Sequence, residues 1–434
     1  MSLRSGVSGR HTTRSKETVN GTVVRRHRPD YLIVLFMGLL MLIGLVTLYA
    51  IGPQRANVLN NSYGSNYGST YFFIKQIISL AIALAGFFAF SMIPYEWVLK
   101  QGKKLLWIGI GLCALLFIAG LAHLGIAPAT LGAVRWFQLG TIGSVQPAEM
   151  LKFGILIFLG GFIGTRAKQG LINDRYKTLI PVAAVALISL LFVVVLQKDL
   201  GTGVAVIGII AAMMMIAGVN KRIGLIAIVS LIAIGIIFIL IAPHRVQRIV
   251  TYVGGSDAEG GSSYQIDNAL IAIGTGGPFG VGIGNSVQAS GYLPEATNDS
   301  VFAIMGEIFG FIGLMVILLI LFGLLMRLLS IMDHLVDIRL KLLVAGVFGW
   351  FGAHVILNIS AIIGVFPLTG ITLPLLSFGG TSMIFITAAL GLVFQLSRYT
   401  VHSSRLSNVG DSKHEDSRSG RRIGRTRYAS RRSS

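Results

Sequence analysis

The 434 residues are 54% hydrophobic and only 12% charged, with a mean hydropathy of +0.77. A soluble globular domain cannot hide that much apolar surface, and recurrent uncharged runs of about 20 residues have the length of a bilayer crossing, so the chain is read as an all-α polytopic membrane protein. The formal net charge of +19 would suit nucleic acid, but it is concentrated in two tails, which points instead to the positive-inside rule and to attraction for anionic membrane lipid.

In chain order, residues 1–30 form a basic tail rich in Arg, Ser and Gly, expected to be disordered. Apolar periodless runs then predict ten spans, near 31–51, 71–93, 104–122, 145–165, 179–196, 202–218, 223–242, 300–326, 341–362 and 376–396. The first is too long for a signal-peptide core and has no small-residue cleavage site after it, so it is read as a retained span. Residues 397–434 form a second basic tail, also expected to be disordered, and residues 31–396 the membrane domain. Of the 36 Lys and Arg, only Arg55, Arg135, Lys198, Arg245 and Arg248 fall on the side opposite the tails, with Lys75 and Lys152 inside spans. That asymmetry puts both termini in the cytoplasm. The long segment 243–299 between the seventh and eighth spans is then extracytoplasmic, and its Gly-rich part "IDNALIAIGTGGPFGVGIGNS" reads as re-entrant or membrane-packed backbone.

Ionisable groups at membrane depth are costly and each requires a reason. Glu149 and Lys152, three residues apart, share a helical face, where they either pair structurally or line a polar cavity. Lys75 is expected to snorkel to an interface. Gln197, Lys198 and Asp199 cap the outer end between two spans, where Asp199 suits a helix N-cap. Arg135 and Trp136 at the outer mouth of the fourth span form either a belt anchor or a phosphate clamp, and Arg245 and Arg248 on the same side would share an anionic ligand with Arg135. The segment "NISAIIGVFPLTGITLPLLSFGGTSM" breaks helical regularity with Pro367, Gly370 and Pro374, so it must line a cavity or be buried in protein, with Asn358, Thr369 and Ser377 as its hydrogen-bonding groups. In "YLPEATNDSVFAIMGE" three acids, Glu295, Asp299 and Glu307, gather at the start of an apolar run. Cys113 is the only cysteine, which removes disulfides and Cys-based metal sites. No Walker lysine, complete dinucleotide fingerprint or zinc-spaced His pair is present, which argues against ATP hydrolysis and metalloprotease chemistry.

Four long segments carry a resemblance: "RWFQLGTIGSVQPAEMLKFG", "QKDLGTG", "YQIDNALIAIGTGGPFGVGIGNSVQASGYLPEATNDSVFAIMGEIFGFIG" and "FPLTGITLPLLSFGGTS". In this order they resemble the signature segments of the SEDS family, the shape, elongation, division and sporulation proteins of bacteria, over roughly residues 30–400. "GVGIGNSVQ" with "YLPEA" is more similar to the division branch than to the elongation branch. The resemblance implies a ten-span peptidoglycan glycosyltransferase of the bacterial cytoplasmic membrane, placed at the division septum. It would polymerise lipid II, an undecaprenyl-pyrophosphoryl disaccharide-pentapeptide, at the outer face, with a class B penicillin-binding protein as transpeptidase partner among other divisome proteins. The family's essential aspartate maps onto Asp299, its Arg-Trp pair onto Arg135 and Trp136, its fourth-span acid and base onto Glu149 and Lys152, and its "Q-x-D-L-G-T" onto Gln197, Asp199 and Thr202. Departures from the family pattern are Asn298 and Ser300 flanking Asp299, Lys198 before Asp199, and Ile308 after Glu307.

On this reading Asp299 acts as general base on the acceptor sugar hydroxyl, Glu295 either tunes its charge from one turn before it, if the helix starts that early, or holds the loop, and Arg135 with Arg245 or Arg248 stabilises the leaving pyrophosphate. Glu307, two turns deeper, is expected to hold spans together. No cofactor is implied with certainty; a divalent cation, Mg or Mn, would assist by the same electrostatic logic, although no dedicated cage is visible. Two other classes fit parts of the sequence: a flippase for a lipid-linked precursor, from the broken helices and buried charges, and a non-catalytic divisome scaffold, from the tails.

Overall fold

The computed structural model describes residues 17–19, 22–24, 27–129, 133–140, 143–220, 222–224 and 261–400. Among the described residues, ten principal helices carry the chain. In order they are α1 (Tyr31–Tyr63), α2 (Tyr71–Met92), α3 (Tyr95–Leu121), α4 (Pro147–Lys168), α5 (Ile180–Leu190), α6 (Leu200–Ile216), α7 (Gly261–Thr275), α8 (Val301–His334), α9 (Ile338–Ile362) and α10 (Gly380–Leu396). Wide π-type turns, Arg175–Leu179 and Leu191–Leu196, extend α5 at both ends. With that extension, eight helices among the described residues are long and apolar enough to cross a membrane, and α6 is a shorter apolar helix, so the protein is an integral membrane protein of the polytopic helical class. The expected seventh span, 223–242, lies outside the described residues beyond residue 224, as do 243–260 of the external loop and most of both tails. Of the N-terminal tail, an antiparallel pair of short strands, Glu17–Val19 with Thr22–Val24, is described.

Local chemistry sets the helix ends. Asp30 caps α1 by accepting from Leu32 N–H (3.1 Å), and α1 runs well past the expected end at residue 51, through Pro53, to Gly64, whose left-handed φ of 63° closes it. Asp199 and Asp337 cap α6 and α9 in the same way as Asp30. Helices approach closely where a glycine removes the side chain: a methyl group on Gly109 of α3 would lie 2.7 Å from Leu151 Cα of α4, and one on Gly154 of α4 would lie 2.8 Å from the Leu105 carbonyl. The most deeply buried helices, α4, α9 and α10, form the centre of the bundle.

The Gly-rich segment after α7 proves to be backbone packed against a helix. Helix α8 is broken at Gly310, with φ 68° and ψ −173°, which releases main-chain groups that a bilayer core would leave unsatisfied. The segment after α7 takes all four up: Val281 and Gly282 N–H donate to the Glu307 and Ile308 carbonyls (2.8 and 3.1 Å), and Phe311 and Ile312 N–H donate to those of Gly277 and Pro278 (2.8 and 3.1 Å). Gly276 and Gly280 lie directly on the Gly306 and Ile308 carbonyls, where no Cβ fits. The run is glycine-rich because two backbones must touch there.

Candidate functional site

Four non-helical segments converge at the end of the bundle where α4, α6, α8 and α10 begin. The segment before α8 is a run of turns, not the early helix in which Glu295 would sit one turn from Asp299. Helix α8 starts only at Val301, and Glu295 takes a left-handed φ of 49°. Its carbonyl accepts from Asn298 and Ser300 N–H (2.9 and 3.1 Å), and its exposed carboxylate accepts from Asn298 Nδ2 (2.5 Å). Asp299 is half-buried at the end of this turn. Its main-chain carbonyl accepts from Asn358 Nδ2 of α9 (2.7 Å), and the same amide donates to the Ile371 carbonyl (2.7 Å).

The broken segment after α9 packs over this turn. Ser377 Oγ donates to the Asn298 carbonyl (2.7 Å) and accepts from Leu373 N–H (2.8 Å), while Phe378 N–H donates to the Thr297 carbonyl (2.8 Å). Gly370 takes a left-handed φ of 73°, and a methyl group there would lie 3.5 Å from Asp299 Oδ2 and 3.8 Å from Arg135 Nη1. The acid and the guanidinium therefore both lie close to one small residue. Arg135 itself is anchored by Nη2 to the Lys198 carbonyl (2.6 Å) and by Nε to that of Gln197 (3.4 Å), which leaves Nη1 on the Gly370 side. Trp136 is half-buried beside it. Asp199, as expected of an N-cap, accepts from Thr202 N–H and Oγ1 (3.0 and 2.8 Å), and also from Gln146 Nε2 (3.0 Å).

Glu149 and Lys152 lie beneath this mouth, within α4. Lys152 is fully buried, donates to Glu149 Oε1 (2.8 Å) and sits 5.0 Å over the Trp350 ring. Its Nζ is also 3.0 Å from His354 Nε2. With Nε2 accepting from Lys152, Nδ1 carries the ring proton and donates to the Thr372 carbonyl (3.4 Å). His354 and Asn358 are one turn apart on α9, so a single helical face ties the buried charge pair and the Asp299 turn to the same loop, at Thr372 and Ile371. Gln146, Trp350, His354 and Gly370 went unassigned in the sequence reading. The imidazole within the apolar run "GWFGAHVILN" was the available signal, since it too is ionisable at membrane depth.

Several buried polar atoms at or beneath this mouth have no hydrogen-bond partner among the described residues: Oδ1 of Asn358, Oγ1 of Thr369 and Oε2 of Glu149. A buried polar atom left without a partner is costly, so those at this mouth suit a polar ligand. Glu307 is placed elsewhere: it accepts from Ser286 Oγ (2.5 Å) and from Val287 and Gln288 N–H (2.9 and 3.3 Å), and so holds the glycine-rich segment to α8 rather than one span to another. Arg245 and Arg248 lie outside the described residues. Among the described residues, no three of His, Cys, Asp and Glu gather as a cation site.

A family model described as a cell cycle protein, covering FtsW, RodA and SpoVE, matches residues 30–402. Stage V sporulation protein E of Bacillus subtilis (strain 168) is 32% identical over 381 residues, covering 87% of this chain and 99% of that protein. A probable peptidoglycan glycosyltransferase FtsW of Aliivibrio salmonicida (strain LFI1238) is 33% identical over 331 residues, covering 75% of this chain and 80% of that one. Among solved structures, a peptidoglycan synthase complex described as coordinating polymerization and crosslinking aligns with a TM-score of 0.65 at 23% identity, over 85% of this chain and 98% of its own. The rod shape determining protein RodA of Thermus thermophilus aligns with a TM-score of 0.58 at 23% identity, over 86% and 98%. The two structures share this chain's fold.

Proposed function

The chain belongs to the family of FtsW, RodA and SpoVE cell cycle proteins, and on that premise we propose that it is a peptidoglycan glycosyltransferase that polymerises lipid II. The observation that carries the mechanism is that Asp299 Oδ2 and Arg135 Nη1 both come within 4 Å of where a methyl group on Gly370 would stand, at a mouth with buried polar atoms that lack a partner among the described residues. In the reaction, the 4-hydroxyl of one lipid-linked sugar displaces undecaprenyl pyrophosphate from the anomeric carbon of another. A sugar hydroxyl is a poor nucleophile, and a carboxylate within hydrogen-bond reach removes its proton as the new bond forms. Asp299 takes that role. Its main-chain carbonyl is held by Asn358, so the carboxylate is presented from a fixed turn.

The leaving group gains charge on its pyrophosphate oxygens as the glycosidic bond breaks. Arg135, already oriented by the Gln197 and Lys198 carbonyls, offers Nη1 to those oxygens. Gln197, Asn358 and Thr369 supply hydrogen bonds to the sugar and its substituents. Glu149, Lys152 and His354 brace the loop from beneath, and Glu295 holds the turn through Asn298.

The proposed setting is the bacterial cytoplasmic membrane at the division septum, with both termini cytoplasmic and the mouth facing outward. A class B penicillin-binding protein would crosslink the strands, in keeping with the shared fold of a solved synthase complex that couples polymerization to crosslinking. The test is glycan synthesis from purified lipid II by the full chain, with and without its transpeptidase partner. Wild type should make polymer and Asp299→Asn should not. Polymer formation by Asp299→Asn at the wild-type rate would remove the general base. Movement of lipid II across proteoliposomes without glycan product would favour the flippase reading.

A further inference from the structure

A cavity of about 560 Å³ lies at the opposite end of the molecule from Asp299, where the start of α1 meets the last turns of α8 and the end of α10. It is on the side from which both tails leave. Its lining includes the basic side chains of His27, Arg28, Arg327 and His334 and the apolar side chains of Leu32 and Leu35. The framework around it is tied together. Asp30 N–H donates to Ser397 Oγ (2.9 Å), His27 N–H donates to the Arg398 carbonyl (3.0 Å), and Leu335 bridges to Thr400.

The charge in this lining is not balanced. The Asp30 carboxylate, which also caps α1, accepts from Arg327 Nε, so it offsets one guanidinium only. Both terminal nitrogens of Arg327 remain without a protein partner among the described residues, and Arg28 is exposed and makes no ion pair there. The apolar part of the lining is of the opposite character. Leu32 and Leu35 are 41% and 52% exposed on a helix that crosses the membrane, so this part of the cavity continues into the lipid-facing surface. An occupant must therefore be anionic at one end and apolar at the other. A soluble anion would leave the leucines unused, and the chain's own tails carry the same sign as the arginines.

We propose that this cavity binds an anionic phospholipid of the leaflet nearest the tails, with its phosphodiester held by Arg28 and Arg327 and an acyl chain laid along Leu32 and Leu35. Basic pockets between helices at the cytoplasmic boundary suit such headgroups, and guanidinium forks match phosphate oxygens. The inference does not depend on the glycosyltransferase reading, because its readout is lipid binding.

In the test, the full chain in mild detergent is titrated with phosphatidylglycerol or with phosphatidylcholine of the same acyl chains, and bound lipid is counted by native mass spectrometry. Inorganic phosphate and glycerol phosphate serve as soluble competitors. Wild type should prefer phosphatidylglycerol, and neither competitor should displace it. Arg28→Gln and Arg327→Gln should each weaken phosphatidylglycerol binding about fivefold, the worth of one basic residue near an anionic surface, and leave phosphatidylcholine unchanged. Arg327→Lys keeps the charge and its partner Asp30, and should keep the preference. Equal binding of the two lipids by wild type, or unaltered phosphatidylglycerol binding in Arg28→Gln, would overturn the proposal. Displacement by inorganic phosphate would overturn the lipid assignment in favour of a soluble anion.

Discussion

Asn358 of α9 donates a 2.7 Å hydrogen bond to the main-chain carbonyl of Asp299, and the same amide nitrogen donates to the Ile371 carbonyl at 2.7 Å. One buried side chain thus clamps the turn bearing the proposed base to the loop that covers it. Asn358→Leu removes both donors while roughly keeping the volume. It should cost about 1–3 kcal/mol of stability, because two buried carbonyls lose a partner. Polymerisation should fall further than stability does, on the order of 100-fold, since a small misplacement of a catalytic group is amplified in rate. Thermal unfolding and lipid II turnover on the same preparation separate the two effects.

Gly370→Ala tests the space between Asp299 and Arg135. The new methyl would stand 3.5 Å from Asp299 Oδ2 and 3.8 Å from Arg135 Nη1, in a backbone conformation with φ of 73°. The conformational cost should be about 1–2 kcal/mol, and substrate should be excluded from the gap. Gly218→Ala is the control, because its φ of 80° carries the same strain with nothing within 4 Å of the new methyl. Equal loss of activity in both variants would show that strain alone, and not position, is responsible.

The buried pair Glu149–Lys152 should behave non-additively. Lys152→Met strands the Glu149 carboxylate and should destabilise the protein by about 3–5 kcal/mol. Adding Glu149→Gln to Lys152→Met should restore part of that loss, because no charge is then left unpaired in the bundle. The measurement is the folded monodisperse fraction of each variant after mild heating, compared across the full double-mutant cycle.

Asp337 sits between α8 and α9 and gives a pH signature. Burial by itself would raise its pKa, but hydrogen bonds from the Arg339 side chain and backbone and from Lys168 outweigh burial and hold it below the ordinary aspartate value. A carboxylate depressed in the folded state contributes stability that is fully present above its unfolded pKa of about 3.9, and that is lost as pH falls through its lower folded value. The Tm advantage of wild type over Asp337→Asn should therefore be constant near neutrality and shrink at strongly acidic pH. A difference independent of pH would assign the stabilisation to packing.

Much of the architecture was legible because its constraints are local. A bilayer requires long apolar helices, and most of the described helices begin and end close to the predicted limits; the exceptions are α1, which continues to Tyr63, α3, which already starts at Tyr95, and α8, which runs on to His334. The glycine-rich run was legible as packed backbone, since only glycines allow Gly276 and Gly280 to rest on carbonyls of α8. What escaped the sequence were the pairings between distant segments. Nothing in the spacing of His354 and Asn358 announces that one reaches Lys152 and the other the Asp299 carbonyl. Glu295 was misplaced because its left-handed backbone breaks a stretch that composition would allow to be helical.

By itself, then, the sequence determined the membrane class, most of the crossing segments among the described residues and the family, because hydropathy and long contiguous motifs survive without knowledge of contacts. Only the tertiary structure decided which polar groups meet. Arg135, Asp299 and Gly370 come from three segments far apart in the chain, and their meeting depends on how the loop after α9, tied to the Asp299 turn through Asn358, Ser377 and Phe378, folds back over the helix ends. Those paths are governed by the need to satisfy main-chain groups within the membrane, a condition that belongs to the whole bundle and to no single stretch of it.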